Sequence, residues 1–313
     1  MKELAVMVIL WLCSAVRVCF ELSNPSQANA FSKSAVDFVK YLSSTQKGDL
    51  LKGEVYTARG VALRLQRKYE LALSCYEEAV AIYKGICGED HKELARLYTK
   101  LGIVHRALGK LSRAKEYLEK SLYIKKATGS EHAGVAIGYS NLALVYIDLG
   151  EHNQAKKYYE KALVIQEKIY GEEHADTAAI YSNLGNACSK LGLQIQAKEC
   201  HEKALSIRKK IYGEEHSDVA RSYHNLVFDY REVGQHNHSK ECDEKALSIR
   251  KTIYGEKHSD VAASYLSLAF DYRELGKYKE AKQCNEKALV ISKKIYNLAR
   301  LVITGNLDST AKR

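Results

Sequence analysis

Apolar and small residues recur along the chain at three- and four-residue intervals. Within residues 132–150 they fall at Tyr139, Leu142, Ala143 and Tyr146. This i, i+3, i+4, i+7 spacing is the stripe that one face of an amphipathic α-helix presents. The segment is therefore predicted to be a helix whose stripe packs against a neighbour.

A second stripe follows closely. It comprises Ala155, Tyr159, Ala162 and Ile165, and Gly150 separates it from the first stripe. Glycine adopts a left-handed backbone at little steric cost, so Gly150 is suited to end the first helix. Because the alanines let two helix axes approach closely, the two stripes together predict a helical hairpin.

The hairpin pattern repeats at a nearly constant interval. A glycine series and a histidine series both recur every 41 or 42 residues, and residues 203–220 and 245–262 are near copies that differ at two positions. A fixed period of this length is typical of stacked repeats that bury their apolar faces against one another. We therefore predict six hairpins over residues 53–294. The two series are Gly109, Gly150, Gly192, Gly234, Gly276 and His91, His132, His174, His216, His258.

The repeated positions resemble the tetratricopeptide repeat, and the longer period and the G-x-x-H loop resemble the kinesin light chain and nephrocystin-like type of that repeat. The residues that carry this resemblance are Gly213, His216, Val219, Ala220, Tyr223, Asn225 and Leu226. The resemblance implies an all-α, right-handed superhelical solenoid of about six hairpins. It also implies a non-enzymatic scaffold that binds protein partners.

Two departures from that family limit what the resemblance implies. Residues 1–52 lack sustained heptads, so the coiled coil that holds a motor heavy chain has no counterpart. The loop histidine is followed by Ala175, Ser217 or Ser259 where the family often has proline. We expect the two serines to cap the helices that follow them.

Candidate binding residues lie between the packing stripes of the first helices. In the resembled family an asparagine here bonds the backbone of an extended peptide, which implies this role for Asn141, Asn183 and Asn225; Lys100 occupies the same position. An amide suits the task because it both donates and accepts hydrogen bonds. The alternative is that these asparagines are solvated or pair with the next repeat.

Basic and aromatic residues extend the predicted peptide site. Arginines one turn along the first helices could fork onto carboxylates of a bound segment, and phenylalanines could hold an apolar anchor. Solvation of the cations and packing of the rings between repeats are the alternatives. The residues are Arg106, Lys190, Arg231, Arg273, Phe228 and Phe270.

Composition narrows the class of protein. The chain is 46% hydrophobic with a single proline, Pro25, which favours long uninterrupted helices. The net charge of +10 suits an acidic partner. Nucleic acid is not favoured as a partner, since lysines alternate with glutamates.

The loop histidines stand one per repeat, about 10 Å apart, so helix-start contacts are expected rather than a metal site. No cofactor motif and no catalytic constellation are found.

The cysteines favour a reducing compartment. Cys75, Cys200, Cys242 and Cys284 share one repeat position. Equivalent positions in stacked repeats are too far apart for a disulfide, which requires Cα atoms within about 7 Å. They are therefore predicted to be small buried residues.

The ends are expected to close the stack. Residues 1–20 contain the apolar run Leu4–Val16, which fits either a secretory signal peptide or a capping helix. Residues 21–52 are predicted to be a helical cap, with a helix near 31–42, and residues 295–313 a closing helix or tail. A cytoplasmic location is expected, with the secretory pathway as the alternative. As an alternative function, the chain could be the ligand-sensing part of a larger signalling ATPase.

Overall fold

In the computed structural model the chain consists of α-helices joined by short loops, and no strand occurs in residues 2–21, 24–39, 46–129 and 132–310, which the structure describes. Contacts divide it into two compact units, residues 1–165 and 166–313. The predicted all-α repeat class is confirmed.

The first unit holds seven helices and most of an eighth. Neighbours along the chain pack on one another, α3 on α4 and α5 on α6, while α4 packs on α5 and α6 on α7. Ring contacts join α7 and α8, because Tyr158 lies 5.7 Å from Tyr139 and 5.2 Å from Tyr146. The helices are α1 Lys2–Glu21, α2 Pro25–Phe38, α3 Gln46–Leu65, α4 Tyr69–Cys87, α5 Lys92–Ala107, α6 Leu111–Ala127, α7 His132–Asp148 and α8 His152–Tyr170.

The second unit begins within α8 and continues the same alternation. Helix α9 packs on α10, α11 on α12 and α13 on α14, and consecutive hairpins meet through α10 and α11 and through α12 and α13. We call α3, α5, α7, α9, α11 and α13 the first helices and their partners the second helices. The remaining helices are α9 Ala175–Lys190, α10 Gln194–Tyr212, α11 Ser217–Glu232, α12 His236–Tyr254, α13 Ser259–Glu274 and α14 Tyr278–Thr310.

The turn inside each hairpin depends on one left-handed residue. Gly150 has a φ of 76°, as predicted, and the other members of its series have φ between 71° and 73°. In the first hairpin the equivalent residue is Arg67, with a φ of 59°. A side chain disfavours this conformation, so Arg67 is a strained position in an otherwise regular series.

The loop histidines start the first helices. Nδ1 of His174, His216 and His258 accepts the backbone N–H two residues later at 3.1–3.2 Å, and His91 does the same at 3.3 Å. The helix-start role is thus confirmed for these four, while the side chain of His132 lies outside the described residues. The prediction that Ser217 and Ser259 cap their helices is wrong. The histidine takes the N-cap position, and each serine is the first helical residue.

An aromatic stack holds the three loop histidines of the second unit in place. In the second unit the ring of the preceding tyrosine lies 4.4–4.6 Å from the imidazole, for Tyr170 and His174, Tyr212 and His216, and Tyr254 and His258. The stack accounts for the recurring Tyr-Gly-x-x-His segment. Because the ring is fixed, its nitrogen points at the helix N-terminus and satisfies one of the free N–H groups there.

Each hairpin interior pairs one residue of a first helix with one of a second helix. Gly60 faces Tyr76, and Gly102 faces Leu118, so closely that an added Cβ would lie 2.4 Å and 2.6 Å from these side chains. Both large partners are fully buried. In these two hairpins the glycine leaves the space that the large partner fills, in keeping with the dense packing of protein interiors.

The N-terminal helices cover the first hairpin. Helix α1 buries Ile9 and Val16 against α2 and α3. Helix α2 lies on α3, where Arg59 donates to Asn29 Oδ1 at 2.6 Å. The predicted helix at 31–42 is thus found as part of α2, although residues 40–42 lie outside the described residues. At the other end α14 passes through Asn297 and continues to Thr310.

All eight cysteines are free thiols. Of the four at the shared repeat position, Cys242 and Cys284 are buried, as predicted, whereas Cys75 and Cys200 are partly exposed. Burial raises the pKa of the Cys242 thiol to about 12, so this group stays protonated. Within the described residues, no helix combines the length and apolarity required to span a bilayer.

Candidate peptide-binding surface

The second unit brings several predicted site residues onto neighbouring first helices. Asn183 of α9 and Asn225 of α11 are both half-buried. Phe228, one turn after Asn225, leaves 53% of its surface exposed, and Phe270 of α13 leaves 38% exposed. Large apolar side chains at this exposure do not contribute a full core contact, and they offer apolar area beside an amide.

Two guanidinium groups lie over the ring of Phe270. The Arg231 group is 4.6 Å from the ring centroid and the Arg273 group 5.0 Å. Arg273 is well exposed and bonds its neighbour Glu274 at 3.0 Å. Both guanidinium groups are thus within cation–π distance of the ring, an arrangement that is electrostatically favourable. It leaves Arg273 at the surface with donors available.

Arg231 uses its guanidinium inside the protein. Its Nε and Nη2 donate to the two oxygens of Asp271 at 2.9 and 2.8 Å. Nη2 also donates to Asp243 Oδ2 at 2.9 Å and to the carbonyl oxygen of Ser267 at 2.8 Å. The side chain is only 16% exposed. The carboxylate fork expected of Arg231 is therefore made with its own chain.

Asp243 and Asp271 form a buried pair of carboxyl groups around Arg231. Both side chains are fully buried, and Ser239 Oγ donates to Asp271 Oδ2 at 2.8 Å. Burial raises the pKa of Asp243 to about 7; the Asp271 carboxylate adds to the rise, while Ser267 and Arg231 oppose it. His236 Nδ1 stands 3.8 Å from Asp271 Oδ1. The Arg231 guanidinium thus binds two buried carboxyl groups.

The preceding hairpin carries a related buried pair. His201 Nδ1 lies 2.5 Å from Asp229 Oδ2, and His201 Nε2 lies 3.1 Å from the carbonyl oxygen of Ser182. The imidazole is thus held between a carboxyl group of the next hairpin and a backbone carbonyl group of its own hairpin. Ser189 Oγ donates to the other oxygen of Asp229 at 3.0 Å.

The apolar periodicity did not predict these buried polar residues, although the repeat register marks their positions. His201 and Asp243 stand nine residues after Gly192 and Gly234, where the earlier repeats have the buried Tyr76, Leu118 and Tyr159. A titratable residue at an apolar repeat position would have indicated a buried network.

In the first unit the predicted binding residues lie on two first helices, Lys100 and Arg106 on α5 and Asn141 on α7. Lys100 and Asn141 are half-buried. Arg106 Nε donates to Asp148 Oδ2 at 2.5 Å, so a neighbouring first helix supplies its carboxylate partner. In the second unit Lys190 is exposed in the last turn of α9.

A buried histidine also distinguishes the first unit. His105 is 2% exposed, stacks on Tyr117 at 5.2 Å, and neither of its ring nitrogens has a hydrogen-bond partner. Burial lowers the pKa of His105; the cations Arg113 and Lys110 lower it further, while Glu70 and Glu116 oppose them. The described residues hold no group of three or more histidine, cysteine or acidic side chains that could bind a metal ion.

Comparison with known families identifies the repeat. The family model described as tetratricopeptide repeat matches residues 52–127, 134–210, 194–251 and 218–294, which together are more than half of the chain. Among curated proteins, none matches the chain significantly.

Solved structures show the same fold. A protein of P. anserina assigned as a kinesin light chain, with nearly identical TPR-like repeats, is 27% identical, with a TM-score of 0.61 over 66% of this chain and 98% of that one. BtubC (BKLC) from P. vanneervenii is 19% identical, with a TM-score of 0.60 over 81% of this chain and 93% of that one. The quorum sensor NprR from B. thuringiensis is 13% identical, with a TM-score of 0.59 over 92% and 88%.

Proposed function

Because the chain belongs to the tetratricopeptide repeat family, we propose that it is a non-enzymatic adaptor that holds an extended peptide of a protein partner on its first helices. Repeats of this family serve as protein-interaction scaffolds. The choice of an extended peptide as the ligand follows the resemblance to the kinesin light chain type of repeat, in which an asparagine of the first helix bonds a peptide backbone. The proposal assigns the binding surface in the second unit to Asn183, Asn225, Phe228, Phe270 and Arg273.

The observation that carries the proposal is the pair of exposed phenylalanines on α11 and α13, of which Phe228 lies one turn after the half-buried Asn225. An asparagine amide can donate to a peptide carbonyl and accept from a peptide N–H. Phe228 and Phe270 offer apolar area for an anchor side chain, the kind of contact in which binding energy concentrates. Arg273 beside Phe270 favours a carboxylate next to that anchor. We therefore propose an acidic or mixed peptide with one apolar anchor.

The asparagine assignment is tested with a random peptide library displayed on phage and selected on the intact protein. Selected peptides are then titrated by calorimetry against wild type and an Asn183→Ala/Asn225→Ala variant. Two lost amide contacts should weaken binding by about tenfold or more. Asn237→Ala is the matched control, because Asn237 is exposed on a second helix. Equal affinity for a folded double variant would refute the assignment.

The chemistry of the ligand is tested separately. Arg273→Glu should weaken the acidic peptides selected above, and Phe228→Ala should weaken those with an aromatic or aliphatic anchor. The exposed Lys279 of α14 offers a charge-matched control, Lys279→Glu. If both reversals weaken binding equally, net charge rather than the Phe270 site selects the ligand.

We further propose that this adaptor works in the cytoplasm. The eight free thiols support a reducing compartment. The glycosylation sequon Asn237-His238-Ser239 lies in α12, and Ser239 is fully buried with its hydroxyl on Asp271. Sequencing the N-terminus of the protein isolated from its source cells tests the proposal. Loss of residues 1–20 would place the protein in the secretory pathway instead.

A further inference from the structure

The first unit contains a cavity of about 640 Å³ between α1, α3 and α5. Its walls are mainly apolar and include side chains that are almost fully withdrawn from solvent. Cys13 and Val16 of α1 are 2% and 1% exposed, and Leu97 of α5 is 2% exposed. Ligand sites in proteins have this size and this apolar character, with a few polar groups at one side.

The floor of this cavity differs from the proposed peptide surface. The residues at the asparagine position in the first two hairpins are Ala58 and Lys100, and both line the cavity. Neither can donate and accept at once, so the pair cannot satisfy a peptide backbone. Next to them, Val61 and Leu97 add further aliphatic surface. An apolar chain without backbone polar groups suits this floor better than a peptide does.

The charged groups of the lining are divided between two helices. Arg96, Lys100 and one acid, Glu93, belong to α5, whereas Glu54 belongs to α3, so the α5 side carries one more cation than carboxylates. Arg96 is well exposed and donates from one terminal nitrogen to Glu93 at 3.1 and 3.3 Å. A guanidinium has five N–H donors, so the contact with Glu93 does not exhaust Arg96. The α5 side of the cavity can therefore receive an anion.

We propose that this cavity binds a single-chain anionic amphiphile of the fatty-acid class, with its hydrocarbon chain between α1 and α3 and its carboxylate at Arg96 and Lys100. The helix α1 supplies one wall, so the site requires the intact N-terminus. The site is separate from the peptide surface of the second unit, and failure of either proposal leaves the other in place.

The head group is tested by calorimetry with dodecanoate and dodecyltrimethylammonium, two ligands with the same chain and opposite charge, both below their micelle-forming concentrations. Dodecanoate should bind with one site, and the ammonium ligand about tenfold more weakly. Lys100→Met should reduce the dodecanoate affinity by a similar factor, because a charge-assisted hydrogen bond is lost. Equal affinity for the two ligands, or no saturable binding of dodecanoate, would overturn the proposal.

The location is tested by filling the cavity. Ala58→Phe should abolish saturable binding, while Ala179→Phe, at an exposed site on a first helix of the second unit, should bind like wild type. If Ala58→Phe does not fold, as judged by circular dichroism, Val61→Phe fills the same space from the partly exposed side of α3. A folded filled variant with wild-type affinity would refute the site.

A spectroscopic measurement gives a second readout. Trp11 is the single tryptophan of the chain and is adjacent to Leu10, which lines the cavity. A brominated dodecanoate should quench the Trp11 fluorescence saturably in wild type, with the same midpoint as the calorimetric titration. Saturable binding without quenching would place the ligand elsewhere and contradict the proposal.

Discussion

Replacing Asp243 by asparagine removes one titratable group from the interior of the second unit while preserving its shape. Asp243 Oδ2 accepts from Arg231, and Oδ1 is buried without a hydrogen-bond partner. Burial, followed by the Asp271 carboxylate, raises the pKa of Asp243 to about 7. Asparagine keeps an oxygen for Arg231 and carries no charge. Wild type and variant should therefore respond differently to pH.

The direction follows from proton linkage. The pKa of Asp243 rises from the ordinary value of 3.8 to about 7, so the folded state binds the proton more tightly than the unfolded chain. The stability from this group is complete below about pH 4, falls as the pH rises towards 7, and is absent above. At about 1.4 kcal/mol per tenfold change, the full loss is on the order of 4 kcal/mol, and more than half of it falls between pH 5 and pH 8.

Urea unfolding, followed by circular dichroism at pH 5 and pH 8, measures the effect. The free energy of unfolding of Asp243→Asn minus that of wild type is the quantity to compare. This difference should be about 2 kcal/mol more positive at pH 8 than at pH 5. Glu241→Gln on the same helix is the control, since Glu241 is exposed. The last hairpin already has Asn285 at the equivalent position. A difference between wild type and Asp243→Asn that does not change with pH would refute the reasoning.

Three further substitutions are measured by the same unfolding assay. Arg67→Gly should raise the free energy of unfolding by about 1 kcal/mol, because it relieves a left-handed side-chain conformation. Gly185→Ala should lower it by about 1–3 kcal/mol, because the new Cβ would lie 2.6 Å from His201 Nε2. His105→Leu should raise it by about 1 kcal/mol or more, since two buried nitrogens without partners are removed. The gain from His105→Leu should grow as the pH falls below the ordinary histidine pKa, because burial lowers the pKa of His105 and the unfolded chain then binds the proton more tightly.

Local pattern was sufficient to predict the repeats. The stripe spacing and the glycine series predicted the hairpins, because helix periodicity and left-handed turns are local properties. The helix-start role of the loop histidines also followed from their spacing. The choice of cap did not, because serine is the usual N-cap and the stacking of Tyr212 on His216 that orients Nδ1 is set by the folded loop.

Contacts between repeats could not be predicted as well from the sequence. Arg231 has the position expected of a ligand-binding arginine, but it is used internally because Asp271 of the next hairpin reaches it. The cavity under α1 depends on how the N-terminal helix lies over α3 and α5, which no short-range spacing encodes. Phe228 and Phe270, in contrast, are exposed, and their contact with a bound peptide stays a prediction.

The buried polar pairs of the second unit help to specify which hairpin packs against which, although the repeats are nearly identical in sequence. Residues 203–220 and 245–262 are almost the same, so apolar packing alone would distinguish poorly between the correct neighbour and another repeat. The partners of Asp229 and Asp271 differ: the first meets His201, the second meets Arg231. A register in which Arg231 lacked Asp271 would leave a buried charge without its main partner, at a cost of several kcal/mol. The polar layer can therefore add little to net stability and still determine the order in which the hairpins stack.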